Sequence, residues 1–196
     1  MVEMRCRDLN ITKNFGLLAV ALVIAAAAYA GTMNHVWAQS APPKNAAKTA
    51  APAELPLIDG AGYNQILPKY RGKPLMVTFW ATWCEPCRME YPMIVELSKQ
   101  YAPQGLAVFG VSLDDDSGMN LVRHFLAQNR PGFPNYRQKP GIDVDEFYHA
   151  VNPDWPGTMP ETIFYGRDGH ILLHFVGGQT LENFEKAIHA ILATHS

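Results

Sequence analysis

Two apolar runs on either side of one helical pattern constrain the fold of this chain more than any other feature. The runs PLMVTFWA (74–81) and GLAVFGVSL (105–113) carry no charge, as is typical of strands buried on both faces. Between them, apolar residues recur at helical spacing from residue 85 to 101, at Met89, Met93, Ile94, Leu97 and Tyr101. This order predicts a β-α-β unit with two parallel strands.

The patterns further along the chain complete an α/β domain. DDDSGMNLVRHFLAQNR (114–130) predicts a helix that runs through Asn129 with an Asp or Ser cap, and DVDEFYHAV (143–151) predicts a small helical stretch. ETIFY (161–165), the turn GRDG and HILLHFVGG (170–178) predict an antiparallel hairpin, and the last residues from 180 predict an amphipathic helix. We therefore expect a central mixed sheet flanked by helices.

The N-terminal residues predict export from the cytoplasm. Residues 1–14 include Arg5, Arg7 and Lys13, and the stretch from residue 15 to Lys44 has no charged side chain. Residues 1–38 therefore fit either a cleavable signal peptide, cut after AYA or VWA, or a membrane anchor formed by residues 15–33. Either alternative places the rest of the chain in the periplasm or another extracytoplasmic compartment, because the positive charges stay inside.

The remaining chain divides into a linker and one folded domain. Residues 39–53 (QSAPPKNAAKTAAPA) are rich in alanine and proline and predict a flexible tether, which leaves 54–196 as the domain. A composition of 48% hydrophobic and 17% charged residues is that of a globular protein. The net charge of −2 does not indicate the excess of basic residues that is typical of nucleic-acid-binding proteins. Because Cys6 precedes the export segment, the exported part contains only Cys84 and Cys87.

The cysteine pair stands where the first predicted strand meets its helix. If the helix starts here, Cys84 is near the N-cap and Cys87 near the third helical position, so a Cys84 thiolate would be stabilised by a free N–H and by the helix dipole. One helical turn separates the two Cα atoms by roughly 5–6 Å, within disulfide range. Glu85 places a negative charge beside Cys84, which disfavours the thiolate and favours a reducing pair.

Other uses of the pair are less well supported. A purely structural disulfide across so short a loop would stabilise little, and a zinc site would need four ligands. His170 and His174 could share one strand face, although exposed polar positions in a hairpin explain them more simply. Arg88 stands where a haem-attachment motif needs histidine. We therefore expect no metal and no cofactor other than a redox-active Cys84–Cys87 disulfide.

The segments FWATWCEPCRMEYP and GTMPETIFYGRDG, together with the β-α-β order, resemble the thioredoxin superfamily. The resemblance is to its exported TlpA/ResA-like thiol:disulfide oxidoreductases, which include the DsbE/CcmG type. It covers roughly residue 55 to the end and implies a thioredoxin-like fold with an insertion before the cis-proline strand. It also implies that Cys84 attacks, that Cys87 resolves the mixed disulfide, and that a cis Met159–Pro160 bond lies beside the pair.

Thr78 departs from the pattern of the superfamily, whereas Glu90 matches it. Cytosolic thioredoxins carry a buried aspartate where Thr78 stands here. Glu90 matches the acidic residue of the family pattern C-x-x-C-x-x-E-x-P; if it is partly buried, its pKa should rise and it could exchange protons with Cys87. We expect Trp80 and Trp83 to be packing residues around the site.

The sequence thus predicts an exported enzyme that reduces protein disulfides, such as those of apocytochrome c or a copper-site subunit. A membrane electron donor of the thiol type would reduce it again. The alternatives are a disulfide oxidase or isomerase, and a copper-binding module that uses the two cysteines as soft ligands. A peroxidase is less well supported, since its P-x-x-x-T-x-x-C pattern would need threonine where Ala81 stands.

Overall fold

The computed structural model describes residues 55–194, which form a six-stranded mixed sheet with α-helices packed against it. The strands are β1 (Leu57–Ile58), β2 (Leu75–Trp80), β3 (Ala107–Ser112), β4 (Asn135–Gln138), β5 (Glu161–Tyr165) and β6 (Ile171–Val176). The α-helices are α1 (Gly60–Ile66), α2 (Glu85–Tyr101), α3 (Met119–Asn129), α4 (Val144–Val151) and α5 (Leu181–Leu192). Short 3-10 helices cover Leu67–Tyr70, Ala102–Gln104 and Asp116–Gly118.

The sheet has the strand order β1-β4-β3-β2-β5-β6. Its first four strands pair in parallel, whereas β5 is antiparallel to both β2 and β6. The parallel pairing of β2 with β3 confirms the predicted β-α-β unit, and the β5–β6 hairpin is also confirmed. The α/β fold with a mixed sheet flanked by helices is therefore as expected.

The central strand β2 is buried on both faces, as its continuous apolar sequence predicted. All six of its residues are buried. Phe79 packs against Tyr63 of α1 and Trp155, with ring centroids 5.7 and 4.8 Å away. Trp80 packs against Tyr91 of α2 and Phe125 of α3, at 5.0 and 4.9 Å. The strand end that leads to the cysteines is thus fixed by aromatic packing from several helices.

A buried asparagine joins β4 to the centre of the fold. Oδ1 of Asn135 accepts hydrogen bonds from Trp80 Nε1 at 3.1 Å and from the Tyr91 hydroxyl at 2.9 Å. Gly110 of β3 makes room for this amide, because a Cβ atom at position 110 would overlap Asn135 Oδ1. These contacts explain how a four-residue, largely polar strand takes a place between β1 and β3.

The sequence patterns gave no prediction for β1 and α1. Asp59 caps α1 by accepting a hydrogen bond from Gly62 N at 2.8 Å. The side chain of Tyr63 anchors this helix because it is buried in the core. Neither element is long enough for its hydrophobic residues to show a clear period.

The predicted signal peptide or anchor (1–38) and the linker (39–53) lie outside the described residues. Among residues 55–194, no helix combines the length and the apolar character needed to cross a membrane.

Candidate active site

The two cysteines form a disulfide at the start of α2. Cys84 is the N-cap residue with an extended backbone, and its Sγ accepts a hydrogen bond from Cys87 N at 3.3 Å. The two Cα atoms are 5.3 Å apart, within the range expected for one helical turn. Both side chains are buried, Cys84 with 6% of its surface exposed. The pair therefore stands where main-chain N–H groups and the helix dipole stabilise negative charge on sulfur.

A buried carboxylate fixes the loop between β2 and Cys84. Asp114, which follows β3, accepts hydrogen bonds from Thr82 N at 3.0 Å and from Ser112 Oγ at 2.8 Å, and also from Thr82 Oγ1. The sequence predicts that this acidic run caps the helix that follows, but Asp115 caps only the 3-10 helix Asp116–Gly118, and α3 begins after Gly118 without a side-chain cap. The signal that could have identified Asp114 is its place two residues beyond the end of a buried strand.

Glu90 is buried on the first turns of α2, with 5% of its surface exposed. Its Oε2 accepts a hydrogen bond from Gln179 N at 2.8 Å, which connects α2 to the loop before α5. Burial raises the pKa of Glu90 to about 7, although the hydrogen bond from Gln179 lowers it in part. The side chain can therefore hold or release a proton near neutral pH. Proton exchange with Cys87 stays a prediction.

The residues before β5 reach the same core as the disulfide. The Met159–Pro160 peptide bond is cis, and Pro160 is buried. Met159 is partly buried and packs against the core cluster that contains both Cys84 and Cys87. The roles that the family resemblance gives to Met159 and Pro160 stay predictions.

Glu161 is a second buried acid that sequence reasoning did not single out. It is fully buried, and its Oε1 lies 2.9 Å from His174 Nδ1 and 3.3 Å from Asn152 Nδ2. Burial raises its pKa, and the His174 ring opposes this shift. Within the described residues, Oε2 has no hydrogen-bond partner. The hairpin register, with Glu161 opposite Val176, could have predicted the diagonal contact with His174.

This contact corrects the interpretation of the two histidines. His174 is not an exposed polar position, because only 27% of its side chain is exposed and it pairs with a buried carboxylate. His170 is exposed, but it belongs to the turn before β6 and does not share a strand face with His174. The residues described contain no cluster of three or more histidine, cysteine or acidic side chains arranged to hold a metal ion.

Trp83 is also placed differently from the prediction. Trp80 packs in the core as expected, but Trp83 has 64% of its surface exposed, so its assignment as a packing residue is wrong. Trp83 lies in the turn between the end of β2 and the N-cap residue Cys84, where hydrophobic character alone does not bury a side chain. Glu85, the first residue of α2, is exposed beside Cys84.

Comparison with known proteins gives consistent similarities. A family model described as the AhpC/TSA family matches residues 46–174. The thiol-disulfide oxidoreductase ResA of Bacillus thuringiensis (strain Al Hakam) is 29% identical over 119 residues, which are 61% of this chain and 64% of the relative. ResA of Geobacillus kaustophilus is 29% identical over 135 residues, covering 69% of this chain and 72% of that protein. The chain thus spans about 64% of the length of the first relative.

A solved structure is similar over the same region. The crystal structure of a putative thiol:disulfide interchange protein DsbE from Chlorobium tepidum has a TM-score of 0.54 and 29% sequence identity. The similarity covers 65% of this chain and 85% of that one. The fold around Cys84 and Cys87 is therefore the thioredoxin-like fold that the sequence patterns resemble.

Proposed function

Since this chain belongs to the AhpC/TSA family, we propose that it is an exported thiol:disulfide oxidoreductase that reduces protein disulfides. The observation that carries the proposal is the Cys84–Cys87 disulfide, with Cys84 at the N-cap of α2. The names of the related proteins support the same chemistry. The disulfide is itself the redox group, so the proposed reaction needs no further cofactor.

The proposed reaction balances over two steps. The Cys84 thiolate attacks one sulfur of the substrate disulfide, so the substrate S–S bond breaks, a mixed disulfide forms, and the other substrate sulfur leaves as a thiolate and takes up a proton. Cys87 then loses its proton and attacks Cys84 Sγ, which releases the second substrate thiol. The substrate has gained two electrons and two protons, and the protein holds the Cys84–Cys87 disulfide. An external dithiol returns the two electrons.

We propose that Glu90 accepts the proton that Cys87 loses in the second step. Its carboxylate is one turn from Cys87 on α2, it is buried, and its pKa of about 7 allows both protonation states near neutral pH. A general base works best when its pKa is close to the working pH. Replacing Glu90 by glutamine should therefore slow resolution by Cys87 without slowing attack by Cys84.

We further propose that the protein acts as a reductant outside the cytoplasm, with exported proteins as its substrates and a membrane protein as its electron donor. The exposed carboxylate of Glu85 beside Cys84 disfavours the thiolate and so favours the oxidised pair, which makes the reduced protein an electron donor. Exported disulfide proteins such as apocytochrome c or a copper-site subunit are the proposed substrates. A membrane thiol carrier is the proposed donor, and export uses either residues 1–38 as a cleavable signal peptide or residues 15–33 as a membrane anchor.

Trapping of a mixed disulfide tests the reaction. The Cys87→Ser variant should accumulate a mixed disulfide through Cys84 when it is incubated with exported proteins in the oxidised state, because the resolving thiol is missing. Gel electrophoresis without reductant, followed by mass spectrometry, detects and identifies the adducts. The Cys84→Ser variant is the matched control and should trap far less. If Cys84 can be alkylated but no adduct forms, the proposal fails.

Measurement of the reduction potential tests the direction. Equilibration with glutathione buffers should give a low potential, in the thioredoxin range near −270 mV rather than the oxidising range near −120 mV. A high potential would instead assign the protein as an oxidase or isomerase. Tight one-to-one binding of Cu(I) by the reduced protein, without disulfide exchange, would assign it as a copper-binding module.

A further inference from the structure

A groove lies between the start of α2 and one face of α3, next to the loop that holds Cys84. Its volume is about 420 Å³. Glu85, Arg88 and Met89 line it from α2, at helical positions i, i+3 and i+4, which lie on one face. Leu121, His124 and Phe125 line it from α3 with the same spacing, so two helix faces form its walls. We call this feature the α2–α3 groove.

The walls of the α2–α3 groove carry apolar side chains that no described part of the fold covers. Met89 has 76% of its surface exposed and Leu121 has 62%. Single exposed apolar residues are normal on protein surfaces, but a pair that lines one concave site next to a reactive group is typical of a binding surface. Methionine is also flexible and polarizable, and therefore adapts to apolar groups of different shapes.

The α2–α3 groove is continuous with the loop that holds Cys84. Thr82 and Glu85 lie on either side of the Trp83–Cys84 pair in sequence, and both line the groove. The wall formed by α3 follows β3, which pairs with one edge of β2, whereas Pro160 precedes β5, which pairs with the opposite edge of β2. A polypeptide whose disulfide reaches Cys84 thus has a surface for its flanking residues here, separate from the side of Pro160.

We propose that the α2–α3 groove binds the polypeptide segment next to the substrate cysteine, with an apolar side chain between Met89 and Leu121. This inference rests on the proposed function and adds a substrate preference to it. Met89 follows Cys84 by five residues, which is about 7.5 Å along a helix axis. Two residues of extended chain span about 7 Å. The apolar side chain should therefore be about two residues from the substrate cysteine.

The polar residues of the groove fit a peptide occupant. Glu85, Arg88 and His124 are exposed, so they can form hydrogen bonds with the main chain of an extended segment. An apolar centre with a polar rim is the usual arrangement of a protein interface. The groove therefore selects a short apolar feature beside a cysteine rather than a particular folded partner.

Synthetic peptide disulfides test this preference. Each probe is a peptide with one cysteine joined by a disulfide to nitrothiobenzoate, and leucine or serine stands two positions from the cysteine. The reduced protein gives two electrons to the probe, which yields one peptide thiol and one coloured nitrothiobenzoate thiolate, while Cys84–Cys87 closes. The symmetric disulfide of nitrothiobenzoate serves as a small probe that has no peptide to bind.

The expected result is a difference between the two peptides that depends on the groove. At low peptide concentration the leucine peptide should react about fivefold faster than the serine peptide, because a leucine side chain would lose about half of its exposed surface. Each rate is divided by the rate of the same variant with the small probe. The Met89→Ser/Leu121→Ser variant, and to a smaller extent Leu121→Ser alone, should lose the preference.

A matched control separates the groove from general surface hydrophobicity. Leu172 of β6 is also half exposed, at 49%, but does not line the groove, so Leu172→Ser should keep the full preference for leucine. Equal rates for both peptides with the unmodified protein, or a preference that survives in the double variant, would overturn the inference. Absence of reaction with the small probe would instead overturn the proposed function, and the groove inference with it.

Discussion

Glu90 gives the clearest prediction at the scale of single residues. Its pKa of about 7 in the folded protein is higher than the ordinary glutamate pKa of 4.5, so the folded state holds the proton more tightly than the unfolded chain does. The unfolding free energy should therefore fall as pH rises from about 4.5 to 7, by up to about 3 kcal/mol. Glu90→Gln cannot ionise and should be more stable than the unmodified protein by about 1–3 kcal/mol at about pH 8.

Urea unfolding of the oxidised protein at two pH values measures this difference. At about pH 4 the Glu90→Gln variant and the unmodified protein should be nearly equal in stability, since Glu90 is then mostly protonated in both the folded and the unfolded state. Glu96 lies on the same helix with 73% of its side chain exposed, so Glu96→Gln should change stability by less than about 0.5 kcal/mol at either pH. A Glu90→Gln variant that is less stable at about pH 8 would contradict the prediction.

At the scale of elements, the contact of β3 with β4 depends on the absence of a side chain at position 110. In a Gly110→Ala variant the new Cβ would overlap Asn135 Oδ1 and lie 3.1 Å from Trp80 Nε1. The amide would have to move, which would break its hydrogen bonds from Trp80 and Tyr91. Because these donors are buried, we expect the unfolding free energy to fall by about 2–4 kcal/mol.

Gly132→Ala is the matched control for this prediction. A Cβ atom at position 132 would meet no atom within 4 Å, and the residue does not have a left-handed backbone. Chemical unfolding of the two variants should therefore show a large loss for Gly110→Ala and a change within about 0.5 kcal/mol for Gly132→Ala. Similar losses in both variants would mean that the packing of Asn135 does not carry the effect.

Helices and strands whose hydrophobic residues follow a strong pattern were predictable from the sequence, and short polar elements were not. The uniform apolar pattern of β2 and the N-cap position of Cys84 follow from local rules, so the β-α-β unit was found correctly. By contrast, β4 owes its place in the sheet to the hydrogen bonds of Asn135, which involve residues 44 and 55 positions earlier in the chain. No local pattern contains such distant partners.

Contacts between residues that are distant in the chain also explain which interactions of the candidate site could not be predicted. The disulfide spacing is local, and it was predicted. The hydrogen bonds of Asp114 to Thr82, of Glu90 to Gln179 and of Glu161 to His174 all join separate elements. Trp83 was predicted wrongly because hydrophobicity predicts burial only on average, and this residue lies exposed in the turn between β2 and α2.

At the scale of the whole molecule, the redox state should change the global stability. A disulfide that is hard to reduce in the folded protein must stabilise that fold, since the two equilibria are linked. If the protein is a reductant, the oxidised form should be more stable than the reduced form by about 1–3 kcal/mol, and a 30 mV difference in potential corresponds to about 1.4 kcal/mol. Only two residues separate the cysteines, so chain entropy contributes little to this difference.

Unfolding curves of the protein with and without dithiothreitol measure the effect. The Cys87→Ser variant has no internal disulfide, so its stability should not respond to dithiothreitol, which controls for effects of the reagent. A reduced form that is more stable than the oxidised form would contradict the reducing assignment, because that order is typical of strong thiol oxidants.

The space left by Gly110 also limits how this sequence can change over evolutionary time. A side chain at position 110 can be accepted only if residue 135 becomes smaller or moves, and the donors of Trp80 and Tyr91 then lose their acceptor. Single substitutions at these four positions should therefore be rare, and compensating pairs more frequent. In a set of related sequences, positions 80, 91, 110 and 135 should vary as a group, and chains that share all four residues should place the strand after α3 next to β3.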